Sequence, residues 1–311
     1  MSRYLLSSIL CLFIALATKA NAPSDTLTVL GRWDITMKIG ERELPSWLEV
    51  HKSGVKMLVG EFVSAGGSAR PISRVNLENG KLSFSIPAQW ESIDKNLEFE
   101  GNLQADSLVG TIILPDGRNC KFSAVKAPSL ARTSKPVWGK PIKLFNGKDL
   151  TGWHPSGKTN QWVVENGILK SPKPGSNIIS DQTFTDFKIH VEFRYAAHGN
   201  SGVYLRGRYE VQITDYYEDT PPKDVLGSVY GFIKPNEKVV TKPGEWVTYD
   251  ITLVGRNVTI VVNGITTVNN QEIPGITGGA LNSREGEPGP IMLQGDHEPI
   301  EYRNIVITPA K

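Results

Sequence analysis

Cysteine is nearly absent from this 311-residue chain: Cys11 and Cys120 are the two. Cys11 falls in an expected leader, so Cys120 is left without an internal partner. A disulfide framework is excluded, and apolar cores have to carry the stability. An excess of charge of one sign is also missing. Lys and Arg total 34 against 32 Asp and Glu, and loss of Arg3 and Lys19 with the leader brings the balance to zero. A neutral chain without basic runs argues against nucleic acid as a partner. No Cys or His spacing fits a zinc site. The glycine-rich stretch Gly275 to Gly289 lacks the strand-to-helix context of a nucleotide loop. No Ser-His-Asp arrangement is identifiable, and no segment carries a convincing amphipathic helix pattern.

Long hydrophobic runs are confined to one place. Leu5 to Ala17 is apolar, too short to span a bilayer comfortably, preceded by Arg3 and followed by Ala20-Asn21-Ala22. Residues 1–22 are therefore expected to be a signal peptide, cut after Ala22 or, with Pro23 directly following, after Ala20. Export is the expectation. A bacterial periplasm suits a fold without disulfides. No later segment is apolar enough to cross a membrane.

What the chain does have is short strands. Residues 23–126 hold eight alternating runs separated by turn signals such as Ala65-Gly66-Gly67, Glu78-Asn79-Gly80 and Pro115-Asp116-Gly117. The spacing predicts a small antiparallel β-barrel or sandwich, an accessory domain with no catalytic constellation. Its Trp33, Trp47 and Trp90 suit either sugar platforms or packing, and packing is favoured. Residues 127–140 read as a linker with no buried face. Residues 141–311 hold eleven further strand patterns, with hairpin signals at Glu165-Asn166-Gly167, Gly255-Arg256-Asn257 and Asn263-Gly264. Many strands and no helix predict an all-β, two-sheet jelly-roll sandwich.

At the centre of that second unit lies Asn200-Ser201-Gly202-Val203-Tyr204-Leu205-Arg206-Gly207-Arg208-Tyr209-Glu210-Val211-Gln212-Ile213. It reads as two strands joined at Gly207-Arg208. Side chains alternate faces on a strand, so Val203, Leu205, Tyr209, Val211 and Ile213 share a core face. Arg206, Glu210 and Gln212 share the other. That second face is either a solvated sheet surface with an Arg206–Glu210 ion pair or a site.

Leu144-Phe145-Asn146-Gly147-Lys148-Asp149-Leu150-Thr151-Gly152-Trp153 opens the unit, and Asp186-Phe187, Glu192-Phe193-Arg194, the central hairpin, Gly227-Ser228-Val229-Tyr230-Gly231 and Gly289-Pro290-Ile291-Met292-Leu293-Gln294 follow. In this order, over about residues 141–308, the motifs resemble those of the 3-keto-disaccharide hydrolase family, the first being similar to its opening signature. The resemblance implies a concanavalin-A-like jelly-roll sandwich with its site on the concave sheet. It implies a carbohydrate substrate, a glycoside whose C3 hydroxyl a separate sugar 3-oxidoreductase has already oxidised to a ketone. It also implies bacterial periplasmic sugar catabolism.

A C3 ketone acidifies the C2 proton, and the group on C1 then leaves by elimination. Such chemistry needs a base at C2, a donor at the C3 oxygen and an acid at the glycosidic oxygen. Arg206 is expected to hold the oxyanion and Glu210 or His297 to move the proton, with His297 favoured because Arg206 would depress Glu210. Gln212, Gln294, Tyr230, Glu192 and Asp215 are expected to contact the sugar. Glu192 also suits a structural pair with Arg194. No cofactor is required, although the acids of Asp215-Tyr216-Tyr217-Glu218-Asp219 suit calcium or a solvated loop. A non-catalytic, lectin-like protein on the same sandwich is the competing expectation.

Overall fold

The computed structural model describes residues 28–215 and 220–311, so the expected leader lies outside the described residues. So do Tyr216, Tyr217, Glu218 and Asp219 of the acidic loop. Among the described residues no helix is long and apolar enough to cross a membrane.

The first eight strands run in sequence order: β1 (Gly31–Ile39), β2 (Arg42–Ser53), β3 (Met57–Val63), β4 (Arg70–Glu78), β5 (Lys81–Ile86), β6 (Leu97–Gln104), β7 (Ser107–Ile113) and β8 (Asn119–Lys126). Each pairs antiparallel with the next, and β1 pairs with β8, so the sheet closes into a barrel. Strict alternation drives the closure. Leu97, Phe99 and Gly101 on β6 are buried while Glu98, Glu100 and Asn102 are exposed, and one face of every strand needs an apolar partner. Aromatic rings fill the inside. Phe84 stacks on Phe99 at 4.5 Å between ring centroids, and Phe122 follows at 4.6 Å from Phe99.

The remaining strands are β9 (Ile142–Lys143), β10 (Trp153–Pro155), β11 (Val163–Glu165), β12 (Ile168–Ser171), β13 (Ile178–Phe184), β14 (Phe187–Tyr195), β15 (Asn200–Leu205), β16 (Tyr209–Thr214), β17 (Val247–Val254), β18 (Asn257–Val262), β19 (Ile265–Glu272), β20 (Gly289–Leu293) and β21 (Ile300–Pro309). They form two packed sheets, a five-stranded one in the order β10-β13-β20-β15-β16 and an eight-stranded one built around β21, β14 and β17. Asn166-Gly167 and Asn263-Gly264 both have positive φ at each residue, as the two-residue hairpins signalled there require. The free edge of β16 is covered, because the backbone of residues 227–230 bonds to Gln212 and Glu210. That cover protects an edge strand which would otherwise offer unpaired N–H and C=O groups.

Barrel and sandwich are pegged together. Trp47 on β2 points out of the barrel and is fully buried within the sandwich core, edge-on to Phe232 at 5.1 Å and 87°. Gly275 makes room for it: a Cβ there would lie 2.0 Å from Trp47 Nε1. Beside this peg, Arg256 Nε donates to Glu285 at 3.0 Å, and the Asp34 carboxyl of β1 is buried against Glu285. Burial, and then Glu285, push Asp34 up to about 8. The expected linker also differs from its reading. Leu130 is buried, and Arg132 holds Asp186 through two bonds of 2.6 and 3.0 Å. Residues 127–140 are thus anchored on the sandwich at Leu130, Arg132 and Trp138, while residues 133–135 between the last two stay exposed.

Candidate functional site

The central hairpin is β15 and β16, in the register Tyr204↔Glu210 and Gly202↔Gln212. Ser201, Val203 and Leu205 alternate into the sandwich interior with Tyr209, Val211 and Ile213. Tyr204, Glu210 and Gln212 face the other way, into a cleft of about 1140 Å³. Gly202 has no side chain because Glu210 lies over it: a Cβ at Gly202 would sit 2.4 Å from Glu210 Oε1.

Arg206 does not join this face. The turn is Arg206-Gly207, with φ of 53° and 65°, rather than Gly207-Arg208. Two positive φ values end the strand alternation at Leu205, so Arg206 swings away from Glu210. Its guanidinium is buried over the Tyr209 ring, donating to Gly255 O at 2.7 Å and to Tyr209 Oη at 3.1 Å. The left-handed conformation of an arginine costs on the order of 1–3 kcal/mol, which these contacts offset. Arg206 is a structural residue of the hairpin end: it neither reaches the cleft to hold the expected oxyanion nor forms the alternative ion pair with Glu210.

Glu192 is also elsewhere. It lies on β14 in the eight-stranded sheet, bonded to Arg303 Nε at 2.5 Å and Asn304 Nδ2 at 2.6 Å. The polar faces of the two sheets point in opposite directions, so Glu192 cannot reach the cleft. Its partner is Arg303 rather than Arg194, which pairs with Glu301. Asp215 accepts from the backbone of His198 at 2.9 Å and is not among the cleft residues.

Glu210, His297, Gln212, Tyr230 and Gln294 do converge on the cleft. Glu210 is 3 % exposed, and its desolvated carboxyl is pushed up to about 8. Its hydrogen bonds agree. The Tyr204 hydroxyl lies 2.8 Å from Glu210 Oε2 and 3.0 Å from the Gly278 carbonyl. A phenol has one proton and cannot donate to both. A protonated Glu210 resolves the conflict: Oε2–H donates to Tyr204, and Tyr204 donates to Gly278. With its amide nitrogen turned to the acceptors around it, Gln212 donates to Glu210 Oε1 at 3.1 Å and to Ser201 O at 3.2 Å. Every polar atom of the neutral carboxyl is then satisfied.

His297 is arranged for the opposite task. Its Nδ1 lies 2.7 Å from Asp296 Oδ1. A carboxylate only accepts, so Nδ1 carries the proton and the neutral ring keeps its lone pair on Nε2. The same bond to Asp296 raises the imidazole above its ordinary value, which strengthens it as a base. Tyr230 is half-buried, and desolvation followed by Asp224 and Glu210 raises its phenol, so it stays a neutral donor. Gln294 Oε1 is buried in the wall with no protein partner, an acceptor left for a hydroxyl. Among the described residues no group of three His, Cys, Asp or Glu is placed to hold a metal ion.

Sequence reasoning gave no role to Tyr204, Asp296 or Gly278, and in the barrel it favoured packing over a sugar platform at Trp33, Trp47 and Trp90. Tyr204 was accessible through its alternation with Val203. The barrel was not: Ala65 to Ala69, Gln89 and Trp90 form the far wall of the cleft, and nothing in a turn signal says what the turn will face. Gly279 N donates to Ala65 O at 3.0 Å, and a Cβ at Gly278 would lie 2.3 Å from Gly67 O.

A family profile described as "3-keto-alpha-glucoside-1,2-lyase-like domain" matches residues 140–308. The chain belongs to this family. A curated relative, the "3-keto-disaccharide hydrolase" of Bacteroides thetaiotaomicron, is 27% identical over 101 residues, covering 29% of this chain and 33% of that one. The chain thus spans about a third of the length of the curated relative it matches. Two structures from Parabacteroides distasonis, provisionally assigned as glycosyl hydrolases, are also similar. One is 30% identical with a TM-score of 0.47, covering 59% of this chain and 96% of that one. The other is 25% identical with a TM-score of 0.43, covering 54% and 98%.

Proposed function

We propose that the chain cleaves 3-keto-glycosides by elimination across C1–C2, followed or not by addition of water. The observation that carries this reading is the pairing of two oppositely poised groups on one cleft. Glu210 is a buried carboxyl that holds its proton, and His297 is an imidazole that Asp296 makes ready to take one.

In this reading His297 Nε2 removes the C2 proton. The C–H electron pair moves into the C2–C3 bond, and the ketone becomes an enolate at the C3 oxygen. Tyr230 takes the donor role that Arg206 cannot fill. The enolate pair then returns to form the C1–C2 double bond as C1–O breaks, and Glu210 turns its proton from Tyr204 to the departing oxygen. Gln294 accepts from a ring hydroxyl. Adding water reverses the roles: Glu210, now a carboxylate, activates water toward C1, and the imidazolium returns its proton to C2. The net result is hydrolysis without a glycosyl cation, so the spacing of paired glycosidase carboxylates does not apply. The substrate comes from a sugar 3-oxidoreductase, and the expected leader directs the chain to a periplasm.

The test is incubation of the full chain with a 3-keto-glucoside and with its unoxidised parent. Release of the aglycone from the keto form alone is expected. Saturable binding of both without turnover would replace this reading with the lectin-like one.

A further inference from the structure

The cleft is larger than one sugar ring requires. Its volume of about 1140 Å³ is at or above the range of roughly 300–1,000 Å³ that holds whole drug-sized ligands. Its floor is Glu210 and its far wall belongs to the barrel. On that wall stands Trp90, 66% exposed. The other six tryptophans are buried or half-buried.

An exposed indole on a loop is usually free to move. This one is held. The backbone N–H groups of Gln89 and Trp90 donate to Glu91 Oε2 at 2.8 and 3.1 Å. Glu91 lies 3.9 Å from Arg70 Nη1, and the buried Arg70 also donates to Pro87 O at 3.2 Å. The Gln89 side chain donates to Ser68 at 2.5 Å. Gly67 brings the next loop against the ring, since a Cβ there would lie 2.6 Å from Trp90 Nε1. Both loops next to the indole are therefore held while the side chain itself stays 66% exposed on the cleft wall. Preorganisation of this kind lowers the ordering cost of binding.

We infer that Trp90, with Gln89 beside it, is a subsite for the leaving group, stacking a flat face that is either an aryl ring or the C–H face of a second sugar. The inference rests on the function proposed above: the keto sugar must reach Glu210 and His297 on the sandwich, so the group on its C1 is the part left to meet the opposite wall. The barrel would then set leaving-group preference while the sandwich performs the chemistry.

The experiment compares the full chain with its Trp90→Ala and Trp90→Phe variants on methyl, phenyl and glucosyl 3-keto-glucosides, measuring kcat and KM for each. Trp90→Ala should raise KM for the phenyl and glucosyl substrates by about tenfold, with a clearly smaller change for methyl, and Trp90→Phe should recover most of the loss. Equal losses on all three substrates, or none, overturn the subsite and leave the proposed reaction intact. If no keto substrate turns over, the reaction fails, and the subsite is decided by calorimetric titration with phenyl and methyl glucoside. A phenyl preference in Kd that Trp90→Ala abolishes supports the subsite, and no preference in the parent chain overturns it.

Discussion

The barrel and the sandwich obey the same alternation and use it differently. In the barrel one face of every strand meets the inside of a closed wall, and Phe84, Phe99 and Phe122 fill that space. Only its loops are left to meet a ligand. The sandwich keeps its core between two sheets, which leaves the outer face of β15 and β16 free to carry Tyr204, Glu210 and Gln212. A closed sheet offers its rim, whereas an open sheet offers a floor. Polar side chains on that floor become a site only because something covers them, and here the barrel does so. Burial is the leading cause of the raised Glu210 pKa.

The sharpest way to break this division of labour is to mutate the floor. Glu210→Gln and His297→Ala should each lower kcat by about 10²–10⁴-fold with the fold retained, the usual worth of a positioned acid or base. Unchanged aglycone release in either variant removes that residue from the mechanism. The pH profile sharpens the roles. In the proposed mechanism activity needs neutral His297, so it should rise above the imidazole's elevated pKa. It also needs protonated Glu210, so it falls as pH passes about 8. A bell with its basic limb near 8 is expected in kcat/KM, and Glu210→Gln should abolish that limb.

The seam comes next. Trp47→Ala should destabilise the protein by about 3–5 kcal/mol, as for other buried aromatics, and it should separate the melting of barrel from sandwich in calorimetry. A single transition at the parent temperature would mean that the peg contributes nothing. A smaller effect, opposite in sign, is expected from Asp34. Its folded pKa of about 8 lies above the ordinary 3.8, so the native state binds the extra proton. Its contribution to stability is fully present below about pH 4 and is lost as pH rises through 8. Asp34→Asn should therefore raise Tm at pH 8 and change it little at pH 5. Denaturation at the two pH values checks this, with a gain of about 1–3 kcal/mol expected at the higher one. Smallest is Glu192→Gln on the other sheet. Removing a partly exposed pair costs about 0–1 kcal/mol, and kcat should match the parent. A large loss of kcat would return Glu192 to the site.

The strands were legible because their period is two, and the turns because Asn-Gly pairs have few uses. Glu210, Gln212 and Gln294, which line the cleft, were named from alternation, and Tyr230 and His297 from their place in the family's motif order. Arg206 was misplaced because alternation was carried one residue too far. A positive φ at an arginine leaves no mark in the residues around it. Glu192 was misplaced for another reason: alternation tells inside from outside but cannot say which sheet is covered. The barrel wall was illegible for a third. Contacts such as Gly67 against Gly278 join residues more than two hundred positions apart, and two glycines carry no complementary pattern to pair them.

Trp47 also bears on the order in which the molecule is made. Apart from the β1–β8 closure, every barrel strand pairs with its sequence neighbour. It can therefore close while the rest of the chain is still being synthesised. The sandwich must wait, since Ile178 on β13 pairs with Leu293 on β20. When its late strands arrive, the tryptophan that completes their core is already in place on a finished wall. On that order the first domain would present a finished wall to the second, and the cleft between them would be complete only once both had folded.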